Sequence, residues 1–274
     1  MKYVTVFFDF EAWWEAPYRG KFAIESIFTQ ILDLLDEHKI NATFNTCGIV
    51  AKFFPELVRD AYSRGHDISC HGFMHENFMQ MNASEINDTL QKAEQEIRKA
   101  IKHKPSGIRF PWMFYTDLAY KIIEERGYKW ASNYHVPFPE SFGRPDYSSI
   151  NYKLAKTFFS LKSSFSVKAP FMKNGLLEIP ALSSSDGDLL SLVNPEQDSR
   201  KDFLNFAFAA WKSQFLHSGR YFNLNFHPWL IGSKNRLALL RGILKFIDAR
   251  KRAEKIIFLT AEELAEEFKK QKIQ

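Results

Sequence analysis

Two cysteines in 274 residues, Cys47 and Cys70, are too few for a disulfide framework. No run of Lys and Arg interleaves with aromatic residues, so nothing resembles a nucleic-acid groove, and the net charge of +5 is scattered. That mild positive balance still suits an anionic substrate or surface. No uninterrupted apolar stretch is long enough to span a bilayer. The N-terminus, Met-Lys-Tyr-Val-Thr-Val-Phe-Phe-Asp, carries a short apolar run that breaks at Asp9 with no small-residue cleavage site. It reads as a strand and not as a leader. A cytoplasmic protein is the expectation.

What the chain does have is core. Hydrophobic residues make up 45% of it and aromatic residues 16%, with 27 Phe, enough for one large α/β domain or two smaller ones. Strand-like runs and helical periodicities alternate. Tyr3 to Phe8 is an apolar β-rich run suited to a strand buried on both faces. A helix is predicted from Ile24 to His38, a strand at residues 42–46, and a helix from Pro55 to Arg64 with Pro in its first turn. A short strand at residues 67–69 follows, then a helix started by Asn82 and Glu85 and running to Ile101. Next come a strand at residues 107–111, a helix at 116–126 closed by Gly127, and a strand at 128–132. From His135 to Gly175 the pattern lapses into a Pro-, Ser- and Phe-rich excursion. It resumes with strands at 176–180, 221–226 and 256–259, and helices at 200–217, 235–250 and after Thr260. There is no repeat of fixed period. Such alternation predicts a parallel sheet, open or closed into a barrel, with chemistry at the carboxyl ends of its strands.

The reactive residue types fall at those ends. Asp9 and Glu11 follow the first strand, His71 and His75 the third, Arg109 ends the fourth, and His227 ends Tyr-Phe-Asn-Leu-Asn-Phe. His71 and His75 are four residues apart. Fully extended they would lie roughly 13 Å apart, so joint use of one metal requires a tight turn, which Gly72 permits. On spacing alone, two solvated histidines remain the alternative. With Glu11 they supply one oxygen and two nitrogens, a common catalytic metal set with room for water. Asp9 can stand beside the metal and take a proton from water, Arg109 can hold Asp9 ionised, and His227 can protonate a leaving amine. Together these residues suit hydrolysis of an unactivated amide.

The chain resembles a polysaccharide deacetylase of carbohydrate esterase family four, related to the nodulation chitooligosaccharide deacetylases. Thr5-Val-Phe-Phe-Asp-Phe-Glu11 is similar to the family's first motif, of base and metal-binding acid, and His71-Gly-Phe-Met-His75 to its metal-binding second. Ile108-Arg-Phe-Pro-Trp112 is similar to the third, where Arg orients the base, and Leu224-Asn-Phe-His227-Pro228 to the last, where His is the general acid. The spacings and His227-Pro-Trp-Leu-Ile-Gly232 look closest to the branch holding peptidoglycan-deacetylase-like proteins and cofactor-independent allantoinases.

The resemblance implies an α/β fold, a distorted (β/α) barrel of about seven parallel strands, as one catalytic domain over 1–274 with an irregular insertion at about 135–175. It implies a divalent ion, Zn²⁺ first and Co²⁺ or Ni²⁺ as alternatives, and removal of an N-acetyl group from an amino sugar. An intracellular glycan precursor is the favoured substrate. The alternatives are a small cyclic amide or ureide, or a degenerate member that binds glycan without turnover. An oligomer is left open.

The sequence also departs from the family. Glu11 stands where Asp is usual, and Gly127 to Asn133 lacks the Asp that tunes the acid His in many members. Asp186 or Asp188 could replace it, but both read as turn residues in Ser-Ser-Ser-Asp-Gly-Asp. Trp13, Trp14, Trp112 and Trp229 adjoin the motifs. Trp14, Trp112 and Trp229 are candidate sugar-stacking residues, with rim packing as the alternative. His38, His66, His103, His135 and His217 read as structural, and Cys70 as a small buried residue.

Overall fold

The computed structural model describes residues 1–11, 24–134, 169–190, 201–232 and 234–272. Along β1 (Lys2–Phe10) side chains alternate between two environments, as a pleated strand requires. Val4, Val6, Phe8 and Phe10 enter a large apolar cluster under the helices. Phe7 enters a smaller one with Trp130, Leu177, Tyr221 and Leu264. The same parity runs through β2 (Thr43–Thr46), β3 (Asp67–Cys70), β4 (Gly107–Ile108) and β8 (Tyr221–Phe226). Phe44, Ile68, Cys70, Ile108, Phe110, Phe222, Leu224 and Phe226 all pack outward against helices. Their odd-numbered neighbours are left to face inward.

Among the described residues, parallel strands run in the order β7 (Leu176–Glu178), β5 (Trp130–Ala131), β4, β3, β2, β1, β8, curled into a distorted barrel. β9 (Ile256–Phe258) pairs with the first half of β1, Lys2 to Val4, while β2 pairs with its second half, Phe7 to Phe10. β6 (Phe171–Lys173) is antiparallel to β7. Between β8 and the chain after β7, side chains bridge in place of a backbone ladder. The Asn223 amide donates to Pro180 O at 2.8 Å and accepts from Leu182 N at 2.9 Å. Asn225 donates to Ser183 Oγ at 3.2 Å.

The helices that cover the sheet include α1 (Ile24–Glu37), α2 (Gly48–Phe53), α3 (Pro55–Ser63), α4 (Ala83–Ile101) and α5 (Asp117–Glu125). Later in the chain come α6 (Asp186–Leu190), α7 (Lys201–His217), α8 (Pro228–Ile231), α9 (Lys234–Asp248) and α10 (Ala261–Lys272). Asn82 and Glu85 form the expected capping box on α4. Thr260 and Glu263 do the same for α10, whose Ala261, Leu264 and Ala265 close the amino-terminal end of the barrel interior. Among the described residues no helix is long and apolar enough to cross a membrane.

Three expectations need correction. The fourth strand stops at Ile108, because Pro111 to Met113 turns tightly with Trp112 at φ 52° and Met113 at φ 58°. The excursion expected to reach Gly175 already contains β6, which pairs back on β7. The short α2 was not foreseen: it packs so closely that a Cβ on Gly48 would lie 2.6 Å from the Ala93 backbone. Most of the proposed insertion lies outside the described residues, as do Trp13, Trp14 and His135.

Candidate active site

Inward parity delivers the candidate residues to one mouth. Asp9, Asn45, Ser69, His71, Arg109, Asn225 and His227 all take inward positions on their strands or directly after them. The turn that the two histidines require is present. Gly72 has φ 72° and His75 φ 65°. The Glu76 carboxylate accepts the Phe73 and Met74 backbone N–H groups at 2.9 and 2.8 Å. The first N–H groups of α2 donate to Gly72 O and Phe73 O, which ties the turn to the fold.

Glu11 Oε2 lies 2.7 Å from His75 Nε2 and 3.3 Å from His71 Nε2. The His71 Nδ1–H donates to Arg109 O at 2.7 Å, an acceptor only, which leaves Nε2 as the ring nitrogen turned toward Glu11 and able to take an ion on losing its proton. One carboxylate oxygen and two imidazole nitrogens, all within 4.8 Å of one another, are a donor set that fits a divalent ion. Burial alone would raise the Glu11 carboxyl, but His227, His71 and His75 hold it well below the usual range. Cys70 points the other way into the helix layer, and burial pushes its thiol up to about 12, which suits a neutral core residue.

Asp9 Oδ1 accepts from Arg109 Nη1 at 2.9 Å and Asn45 Nδ2 at 2.5 Å, and Ser69 in turn donates to Asn45 Oδ1 at 2.6 Å. Asp9 Oδ2 faces His227 Nε2 at 3.9 Å. Burial would raise the Asp9 carboxyl, yet Arg109, His71 and His227 outweigh it and keep it below its ordinary value. Arg109 is itself buried. It also donates to Ser132 O, Ser132 Oγ and Asn225 Oδ1 at 3.1, 2.8 and 3.0 Å, and lies 4.4 Å over the Phe7 ring.

Asp186 reverses the expectation of a turn residue. It is buried, its Oδ1 lies 2.6 Å from His227 Nδ1, and its Oδ2 accepts the His227 backbone N–H at 2.8 Å. Asp188 does act locally, accepting from Ser185 N at 2.9 Å. Burial would lower the His227 imidazolium, but Asp186, Glu11 and Asp9 raise it to about 10. His66, read as structural, is buried, takes the Ala42 N–H at 3.1 Å, and is pushed down to about 4 by burial.

The tryptophans divide. Trp112 is 51% exposed and stands edge-on to His75 with centroids 4.2 Å apart, so it is free to meet a ligand. Trp229 instead donates its indole N–H to Glu11 Oε1 at 3.2 Å. Asn45 and Asn225 were not singled out as site residues, and Asp186 was named as a possible partner of the acid His but read as a turn residue. Their signal was faint: for the asparagines, a polar residue on the inward parity of an apolar strand, and for Asp186, its place in the segment that follows β7.

Residues 2–131 match the family model described as polysaccharide deacetylase. The chain is 25% identical over 267 residues to a peptidoglycan deacetylase of Helicobacter pylori, covering 92% of this chain and 87% of that protein. Several other curated deacetylases match over less than half of their own length. The fold is that of a putative polysaccharide deacetylase from Mycobacterium smegmatis, with a TM-score of 0.72 at 18% identity, covering 98% of this chain and 91% of that one. A Puue allantoinase shares it with a TM-score of 0.66 at 15% identity, covering 96% and 89%. By sequence over residues 2–131, a little under half of the chain, and by fold over nearly its whole length, the chain is similar to polysaccharide deacetylases.

Proposed function

We propose that this chain is a metal-dependent amidohydrolase that removes an N-acetyl group from an amino sugar of a glycan. Glu11, His71 and His75 would hold the ion. The chemistry it supplies when bound is a lowered water pKa and a polarised amide carbonyl. The observation that carries the reading is the pairing across the mouth: a carboxylate with one oxygen tied and one free, 3.9 Å from an imidazole whose other nitrogen is tied to Asp186.

Asp9 takes a proton from water at Oδ2, because Asn45 and Arg109 occupy Oδ1. His227 gives a proton to the departing amine from Nε2, because Asp186 holds Nδ1. Each positioned proton transfer contributes about 10²–10⁴-fold. The exposed Trp112 ring beside His75 supports a sugar as the bound group. The relatives named as peptidoglycan and chitooligosaccharide deacetylases point the same way.

The test is acetate release from N-acetylated chitooligosaccharides and peptidoglycan fragments, with a cyclic ureide as control. Asp9→Asn should lose at least about 100-fold in kcat while retaining its metal. Turnover of the ureide with no acetate released from any glycan would overturn the proposal.

A further inference from the structure

We infer that Trp229 is a positioning residue for the ligand carboxylate of Glu11, and not a platform on which a sugar stacks. The inference rests on the metal centre proposed above. Glu11 is one methylene longer than an Asp and carries an extra torsion, so a carboxylate at this point needs an external contact to hold one rotamer. Its two oxygens have separate partners. Oε2 faces both histidine Nε2 atoms at 2.7 and 3.3 Å, and Oε1 accepts the Trp229 indole N–H at 3.2 Å, with His227 Nε2 farther off at 3.8 Å.

An indole N–H can only donate, and here its acceptor is the candidate ligand itself. The ring of Trp229 is half-buried against the large apolar cluster, so its orientation is set by the core. Trp229 also lies two residues after His227, with ring centroids 5.9 Å apart, on the short α8 that Pro228 opens. One rigid segment thus carries the proton donor and the group that aims the metal ligand. Trp112, the ring more open to solvent, has no such tie to a carboxylate among the described residues.

The experiment measures Zn²⁺ and Co²⁺ affinity of the full-length apoprotein by competition with a chelating dye. Trp229→Phe should weaken the metal Kd by about 10–100-fold, the usual effect of losing a contact that orients a ligand. In a Glu11→Ala background the same substitution should change the remaining Kd by less than about 2-fold, since the group it orients is gone. Benzothienylalanine at position 229 replaces the indole N–H by sulfur at nearly constant shape, and should reproduce the loss with the apoprotein Tm unchanged. Wild-type metal affinity in both single variants, with KM for the glycan raised, would overturn the inference in favour of stacking. Wild-type protein that takes up neither ion would remove the metal centre itself, and the inference with it.

Discussion

His227 and the carboxylate of Asp186 meet through two hydrogen bonds, one from the ring Nδ1 at 2.6 Å and one from the backbone N–H at 2.8 Å. The contact crosses the seam of the barrel, from the end of β8 to the segment after β7. It fixes which ring nitrogen faces Asp9 and keeps the ring charged.

From this contact follows a pH dependence. Burial alone would lower the His227 pKa, but Asp186, Glu11 and Asp9 raise it to about 10, so the acid form persists through neutrality and is lost as pH rises through that value. A cation beside Glu11 offsets part of that effect, so the alkaline limb of the holoenzyme lies below 10. Asp186→Asn should move that limb to lower pH and cut kcat by about 10–100-fold. An unchanged pH profile of kcat/KM would contradict the pairing.

Arg109 is buried and ties Asp9, Ser132 and Asn225 together. Arg109→Met strands the Asp9 carboxylate in the interior, and should cost about 3–5 kcal/mol in urea unfolding. Asp9 now ionises below its ordinary value, so without Arg109 the acid limb of the rate profile should move up. A variant as stable as the wild type would contradict this reading.

Asp67, at the far end of the barrel, accepts from Thr43 Oγ1 and Glu262 N, each at 3.3 Å. Burial, with Glu262 nearby, pushes its carboxyl from 3.8 to about 7. The native state therefore holds a proton that the unfolded chain releases, and stability falls as pH rises between those values. Asp67→Asn keeps an oxygen acceptor without the charge. It should raise stability at pH 8 by up to roughly 4 kcal/mol and leave it unchanged near pH 4. Thermal scans at the two pH values check the sign.

Trp112 meets the described part of the site edge-on at the His75 ring. Trp112→Ala should raise KM for an oligosaccharide by about 3–10-fold, with kcat and metal content retained. A loss in kcat alone would move Trp112 from binding to positioning His75.

Much of the site was legible because period-two strands sort their residues by parity. Asp9 and Glu11, His71, Arg109 and His227 stand out as reactive types at apolar strand ends, and the structure brings all of them to one mouth. Asp186 was obscured by its company. In Ser-Ser-Ser-Asp-Gly-Asp it looks like turn chemistry, and only the closure of β7 toward β8 carries it to His227. Asn45 and Asn225 were hidden in the same way, since a buried amide in a strand reveals its partner only in three dimensions. Trp229 was noticed for its ring, whereas its contact is made by its single N–H. The α2 helix escaped because it is a short helix whose close approach to α4 at Gly48 is visible only in three dimensions.

The most direct test is the metal content of the purified wild type and of His71→Ala/His75→Ala, measured by mass spectrometry after dialysis. About one divalent ion per chain, lost in the double variant, is the predicted result. A wild-type protein that takes up neither Zn²⁺, Co²⁺ nor Ni²⁺ when supplied would contradict the metal-dependent hydrolase and leave the glycan-binding alternative.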